Sequence, residues 1–174
     1  MTYWRVTKYN PIYRNEKGWY MRDEWTSISD VGTYYDGVEF TMGEYLKVEE
    51  AYVNSVVLIM QELGVNSLRI AYAGKWNYRG KRHALEKLGA EKLYKSIKSG
   101  IQISIVDIPL LTKLVLREIV WVKLEHEKMF VHFGDDYYMY FGFVGSLVRA
   151  DKQITNSGLF IDKNFISPYL DVEE

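Results

Sequence analysis

The stretch that decides the fold runs from Ile119 to Phe143 and reads IVWVKLEHEKMFVHFGDDYYMYFGF. It consists of three runs of β-branched and aromatic residues, joined by one link of two residues and one of three. The runs are residues 119–126, 129–133 and 137–143. Short links between such runs are typical of antiparallel hairpins. The stretch therefore predicts a C-terminal β-meander at about 119–143.

Successive side chains along a strand point to opposite faces, so the predicted meander has two faces. The apolar face, which we expect to join the core, holds Val120, Val122, Leu124, Met129, Val131 and Phe133. The outer face holds rings and ionisable groups: Trp121, Lys123, Glu125, Phe130, His132, Tyr138 and Tyr140. Two interpretations of the outer face stay open: it is a docking surface or ligand floor, or a helix covers it.

The helix predicted at about 42–63 is the candidate for that cover. Thr41 and Glu44 form a capping-box pattern, apolar residues recur at helical spacing, and Gly64 ends the run. The other expected strands are residues 2–9, 67–72, 101–108 and an edge strand in the tail 145–174. The shorter expected helices are residues 84–98, weakened or split at Gly89, and 109–117.

These elements together predict an α+β fold. An antiparallel sheet that includes the meander is expected to pack against one long amphipathic helix and the shorter helices. A chain of 174 residues has the length of one domain, so we expect a single domain spanning 1–174.

Residues 10–40 are rich in turn formers and yet carry many rings, among them Trp19, Trp25, Tyr34 and Tyr35. A flexible linker would not carry that many rings, so we expect an ordered excursion packed on the body. Long ordered loops are often functional.

Charge is segregated along the chain although the net charge is −1. Residues 23–62 carry nine acidic side chains and one basic one, Lys47, whereas residues 75–98 carry eight basic and two acidic ones. Such blocks either steer a charged partner through the summed field or meet and cancel on folding. Both interpretations stay open.

The composition excludes several kinds of chemistry. With no Cys, the chain has no disulfide, thiolate zinc site or Cys nucleophile. Phosphate-cradling glycine motifs and a Gly-x-Ser-x-Gly motif are missing, and Gly134-Asp135-Asp136 is better explained as a tight turn than as a metal site. We expect no cofactor and no metal. With neither a signal-peptide pattern nor a run of apolar residues long enough to span a bilayer, we expect a soluble cytoplasmic protein.

Two alternative functions remain. A small enzyme could use His132 with Glu125 as a general-base pair, provided that the strands align them. A nucleic-acid-binding protein could use the basic segment 75–98, in which Trp76 and Tyr78 supply stacking rings. A sequence pI near 6.3 disfavours the second, so nucleic acid is not the partner we expect.

Four segments resemble the immunity proteins of bacterial polymorphic-toxin and contact-dependent growth-inhibition systems. They are residues 3–11 (YWRVTKYNP), 23–30 (DEWTSISD), 131–134 (VHFG) and 137–140 (YYMY). The resemblance implies a cytoplasmic protein that binds one cognate toxin domain and blocks its active site or its access to a target. Immunity proteins share no catalytic residues, so no residue role is carried over.

The residues themselves fit a binding protein, because rings dominate interface hot spots and an acidic surface opposes a basic nuclease. We expect the first contact surface in the acidic, ring-bearing excursion: Trp19, Asp23, Glu24, Trp25, Asp30, Tyr34, Tyr35, Asp36 and Glu39. We expect a second contact surface on the outer face of the meander, formed by the seven residues named for that face above. The expected activity is therefore neutralisation of a toxin, with no catalysis by this chain.

Overall fold

A computed structural model describes residues 1–76 and 80–170 of the chain. The α+β prediction is confirmed, since these residues form a seven-stranded antiparallel sheet and five α-helices. The strands are β1 (Thr2–Thr7), β2 (Tyr34–Tyr35), β3 (Val38–Glu39), β4 (Ser67–Lys75), β5 (Gln102–Ser104), β6 (Val120–His126), β7 (Met129–Phe133), β8 (Tyr138–Phe143) and β9 (Phe160–Lys163). The helices are α1 (Met42–Leu63), α2 (Lys81–Leu88), α3 (Glu91–Ser96), α4 (Ile108–Leu116) and α5 (Val148–Asn156).

The meander forms the centre of the sheet, whose strand order is β5-β4-β6-β7-β8-β1-β9. Leu124 pairs with Val131, and Val131 pairs with Phe141, so the apolar side chains of the three strands share one face. All three are buried in the core, together with Val120, Val122, Met129 and Phe133. The predicted core face of the meander is therefore confirmed.

Helix α1 has the predicted bounds and the predicted cap. The Thr41 hydroxyl accepts a hydrogen bond from the Glu44 backbone N–H, and the Glu44 carboxylate accepts one from the Thr41 N–H. Gly64 ends the helix in the left-handed conformation, at φ 66°. One face of α1 is buried in the core with the apolar face of the meander: Tyr45, Tyr52, Val56, Ile59 and Met60. Helix α1 thus packs on the core side of the sheet, and the expectation that it covers the outer face is wrong.

The excursion between β1 and α1 is ordered and packs on the body. It contains short 3-10 helices at Pro11–Tyr13 and Ile28–Asp30 and the two-stranded hairpin β2–β3. Trp25 stacks on buried Phe40, with ring centroids 4.5 Å apart, and meets the edges of Tyr45 and Tyr137. Burial of aromatic area thus helps to fix this segment, whose secondary structure is limited to short pieces, to the core.

The split expected at Gly89 is confirmed, since this residue, at φ 61°, separates α2 from α3. Two other segments differ in detail from their predictions. The strand expected at 101–108 is shortened to β5, and the tail contains α5 as well as the expected edge strand β9. Glu62 of α1 accepts hydrogen bonds from the backbone N–H groups of Arg149 and Ala150, which caps α5 from outside.

Within residues 1–76 and 80–170, no helix has the length and hydropathy needed to cross a membrane.

Candidate functional site

A groove of about 600 Å³ opens where the excursion meets the meander. The loop Thr26–Ser29 forms one side, and the link between β7 and β8, Gly134–Tyr138, forms the other. The start of β6 and the preceding residues Arg117 and Glu118 line its floor and end. Ligand sites commonly have volumes of about 300–1,000 Å³, so this groove can admit a segment of a partner or a small molecule. We call it the aromatic groove.

Rings line the aromatic groove, and one of them is held rigidly. Trp121 donates its indole N–H to the Phe133 carbonyl at 2.8 Å and lies edge-on between the rings of Tyr72 and Tyr169. Trp76, in contrast, leaves 59% of its surface exposed. The groove thus presents one fixed and one accessible indole, and Tyr138 is also among its lining residues.

Three carboxylates lie on the rim of the aromatic groove: Glu118, Asp135 and Asp136. All three are exposed, and none makes an ion pair or side-chain hydrogen bond with the described part of the chain. Among the described lining residues the one cation is Arg117, whose guanidinium already binds Glu49. No direct ion pair between described residues therefore neutralises the rim, although Lys8 lies near enough to interact electrostatically with Asp136.

Backbone strain is concentrated at the same place. Five non-glycine residues in the described ranges have positive φ, and three of them line the aromatic groove: Glu118 at 56°, Asp136 at 52° and Tyr137 at 61°. A side chain at positive φ costs free energy, and such strain clusters at functional sites when the surrounding packing enforces it. Two of the three strained residues carry rim carboxylates.

A buried polar network enforces this strain from below. The Tyr137 hydroxyl donates to the Leu116 carbonyl and contacts the Tyr45 hydroxyl, each at 3.1 Å, while Tyr52 donates to the Tyr137 carbonyl at 2.5 Å. Tyr45 in turn donates to Glu49 at 3.0 Å. Burial raises the pKa of Tyr137 far above its usual range, so its hydroxyl stays protonated and keeps donating. The network fixes the turn that presents Asp135 and Asp136.

A second, smaller groove of about 420 Å³ lies on the other side of Trp25, between β3 and α1. Its lining mixes charges, with Glu39 and Glu44 beside Lys8 and Lys47. Burial lowers the pKa of Lys8, and the charges of Glu24, Asp136 and Asp30 partly offset that shift. A mixed lining selects less strongly for one sign of charge than the rim of the aromatic groove does.

The structure separates the predicted acidic surface into engaged and free carboxylates. Six of the nine acids at 23–62 are engaged within the fold: Glu24 with Lys8 and Tyr20, Asp30 with the Thr26 and Ser27 N–H groups, Glu44 in the α1 cap, Glu49 with Arg117, Glu50 with Lys113, and Glu62 in the α5 cap. Asp23, Asp36 and Glu39 are exposed and make no such contact within the described ranges. Trp19 and Tyr34 each expose 66% of their surface, whereas Trp25 and Tyr35 are half-buried.

The outer meander face is covered in part, by the segment that follows β9. The Ser167 hydroxyl lies 2.9 Å from His132 Nδ1, Tyr169 packs on Trp121 and Tyr140, and Phe165 packs on Tyr140. His132 and Tyr140 are buried beneath this segment, and Phe130 is buried beside His132 and Tyr3 of β1. The expectation that these three present a docking surface is corrected, because the chain's own residues cover them. Trp121, Lys123, Glu125 and Tyr138 remain half-buried at its margin.

The proposed general-base pair is not aligned. His132 lies opposite Lys123 in the ladder, whereas Glu125 lies opposite Phe130 and binds Arg69 at 2.7 Å. His132 is buried against Phe130, with centroids 4.4 Å apart. This geometry gives His132 a packing and hydrogen-bonding role. Elsewhere in the described ranges, no group of three or more acidic or histidine side chains is placed to hold a metal.

The basic segment 75–98 folds as the end of β4 followed by α2 and α3, and its residues 77–79, including Tyr78, lie outside the described residues. Lys75 donates to the Tyr94 carbonyl and Lys81 to the Trp76 carbonyl. Four other lysines are exposed: Lys87, Lys92, Lys95 and Lys98. No ion pair between described residues joins this segment to the acidic stretch, so the two blocks do not cancel through direct contacts.

From the sequence, Glu118 was considered only as an alternative partner of His132 in the enzyme hypothesis, and Asp135 and Asp136 were interpreted as a turn. The available signal was the Asp-Asp-Tyr link between two strands, which has to reverse the chain with one glycine, Gly134. Trp76 was noticed only as a part of the basic segment. No protein-family model, curated protein or solved structure matches this chain.

Proposed function

We propose that this protein is an immunity protein, which binds a toxin domain in the cytoplasm and blocks it, and that the aromatic groove is the centre of its contact surface. The observation that carries the proposal is the set of three exposed, unpaired carboxylates around a ring-lined groove of about 600 Å³. Rings of this kind supply the buried anchors of protein interfaces, and a charged rim sets the choice of partner.

The charge on the rim favours a basic partner. Glu118, Asp135 and Asp136 repel anions, and they would accelerate the approach of a cationic surface. A nuclease toxin fits this requirement, because it must bind the phosphates of its substrate with cationic side chains. Carboxylates that occupy the phosphate positions would then block the nuclease directly.

The excursion, which we predicted as the first contact surface, borders the aromatic groove. The loop Thr26–Ser29 belongs to the same excursion that carries the free carboxylates of Asp23, Asp36 and Glu39. Exposed Trp19 and Tyr34 add apolar area on this excursion. Specific interfaces bury roughly 800 Å² on each partner, which is more than the groove alone offers. We infer that the partner contacts both the groove and the excursion.

The test is growth competition between cells. A strain that lacks the gene is expected to lose in contact with its parent, because the parent still delivers the toxin. Plasmid-borne wild-type chain should restore survival, whereas the variant E118Q/D135N/D136N should restore it poorly. The matched control is E86Q/D107N/E127Q, which removes the same charge from three exposed carboxylates outside the groove and the excursion.

Each outcome of the competition decides one point. Equal survival of the deletion strain and its parent would overturn the immunity function. Full rescue by the groove variant would keep the function and remove the groove from it. Equal failure of both variants would show that total charge, and not the groove, matters.

A further inference from the structure

We propose that the aromatic groove binds an arginine side chain of the partner, with the guanidinium held between rings and rim carboxylates. This inference deepens the proposed function and rests on it for the source of the arginine.

The rim requires a cationic ligand. An apolar side chain that filled the groove would remove water from Glu118, Asp135 and Asp136 and leave three carboxylates without compensation. Removing water from a charge that gains no partner is unfavourable, so a neutral ligand gains little. A cation regains that cost through charge-assisted hydrogen bonds.

The rings select arginine over lysine. A guanidinium is planar, stacks on aromatic faces and is less strongly hydrated than an ammonium group. Trp76 offers an accessible indole, and Trp121 is fixed by its hydrogen bond to the Phe133 carbonyl. A lysine ammonium can reach the same carboxylates, but it is stabilised less by contact with the aromatic rings than a planar guanidinium is.

The chain contains the same arrangement next to the groove. Arg5 lies 3.7 Å from the ring centroid of Phe165 and 4.8 Å from that of Tyr138, and it binds the Asp162 carboxylate at 2.8 Å. Tyr138 also lines the groove. One guanidinium held by rings and a carboxylate is thus already part of this fold, and the groove offers the same kinds of carboxylate acceptor and aromatic ring without an occupant from the described residues.

The experiment uses the full chain and three blocked peptides, Gly-Gly-Xaa-Gly-Gly, in which Xaa is arginine, lysine or citrulline. Binding is followed by nuclear magnetic resonance at the indole N–H signals of the five tryptophans. We expect the arginine peptide to shift the Trp76 and Trp121 signals and to leave the Trp19 signal unchanged. The lysine peptide should bind about threefold or more weakly, and the neutral citrulline peptide about tenfold more weakly.

Substitutions test whether the arginine peptide binds in the aromatic groove. W76A and D135N/D136N should each weaken the arginine peptide by about threefold or more, whereas W19A and E127Q should not. Trp76 and Trp19 are similarly exposed, at 59% and 66%, so both substitutions spare the core. Asparagine tolerates the positive φ of position 136.

Three results would overturn the inference: equal binding of the citrulline peptide, equal binding of the lysine peptide, or binding unaffected by W76A. These results are separate from the competition test. If the groove variant loses protection while the arginine peptide does not bind, the immunity function stands and the arginine site falls. If the peptide binds as expected but the deletion strain survives, the arginine site stands and the immunity function falls.

Discussion

Arg117 holds the buried carboxylate of Glu49 through two hydrogen bonds, from Nε to Oε1 at 2.6 Å and from Nη2 to Oε2 at 2.7 Å. The pair joins α1 to the residue directly before Glu118, which carries a rim carboxylate at positive φ. Hydrogen bonding to Glu49 raises the pKa of Arg117, so the guanidinium stays charged. The core ion pair thereby positions the rim of the aromatic groove.

Replacing Arg117 by Met is expected to destabilise the fold by about 3–5 kcal/mol, because the buried Glu49 carboxylate loses its partner. The double variant R117M/E49M should regain most of this loss, since two apolar side chains of similar size leave no unpaired charge. Urea denaturation of the wild type, both single variants and the double variant measures the coupling.

The neighbouring pair Lys113–Glu50 is the matched control for this cycle. It joins the same helix α1 to α4 at 3.3 Å but is much more exposed. K113M is expected to cost less than about 1 kcal/mol. Equal losses in R117M and K113M would contradict a buried, structural role for the Arg117 pair.

Replacing two glycines by Ala is expected to change the stability of the fold in opposite directions. A Cβ at Gly142 would lie 2.1 Å from Cε1 of Phe130, whose ring is buried and stacked on His132. G142A is therefore expected to cost about 1–3 kcal/mol through overpacking. G43A, near the exposed start of α1, meets only the Thr41 hydroxyl at 3.9 Å and should stabilise the chain by up to about 1 kcal/mol. Thermal unfolding of both variants tests the pair, and a neutral G142A would contradict the packing of the outer face.

Local signals made much of the fold predictable. The bounds of α1 follow from the cap at Thr41 and Glu44 and from Gly64, all of which act within a few residues. The meander follows from alternation and short links, and the split at Gly89 follows from its conformational freedom. Helix α5 had a usable signal, because buried Leu147, Ala150 and Ile154 recur at helical spacing, but its cap comes from Glu62, far back in the chain.

The site was less predictable, because it depends on contacts between distant segments. The aromatic groove joins Thr26–Ser29 to Gly134–Tyr138, more than a hundred residues later. The cover on His132 comes from Ser167, and no local pattern places that residue on the outer face. Nor did the acidic composition of 23–62 reveal that most of those carboxylates serve as caps and ion-pair partners. Only the side-chain contacts separate Asp23, Asp36 and Glu39 from the rest.

The basic segment gives a prediction about nucleic acid. Lys75 and Lys81 donate to backbone carbonyls of the segment itself, and the whole chain has a net charge of −1. Single-stranded RNA is therefore expected to bind only at the weak end of the non-specific range, with Kd of about 10⁻⁴ M or weaker at roughly physiological salt. Fluorescence anisotropy at several salt concentrations measures this. Tight binding with a steep salt dependence that K92Q/K95Q/K98Q abolishes, and K152Q does not, would contradict it.

Asp162 gives a prediction about pH. Its carboxylate accepts hydrogen bonds from Arg5 at 2.9 Å and Arg14 at 2.7 Å, and so joins β9 to β1 and to the excursion. Burial by itself would raise the pKa of Asp162, but the hydrogen bonds and charges of Arg14 and Arg5 outweigh it and lower the pKa below its ordinary value of 3.8. The carboxylate therefore stabilises the folded state when it is ionised.

Because the folded pKa of Asp162 is the lower one, its stabilisation is fully present above pH 3.8 and is lost as the pH falls through the folded value. D162N is expected to be about 2 kcal/mol less stable than the wild type at neutral pH, and this difference should shrink below pH 3.8. Urea unfolding of both proteins between about pH 2.5 and 7 measures the difference. D151N is the control, since Asp151 forms an ion pair with the exposed Lys163, and it should change stability by less than about 1 kcal/mol. A difference between D162N and the wild type that stays constant down to the lowest pH would contradict the role of the two arginines.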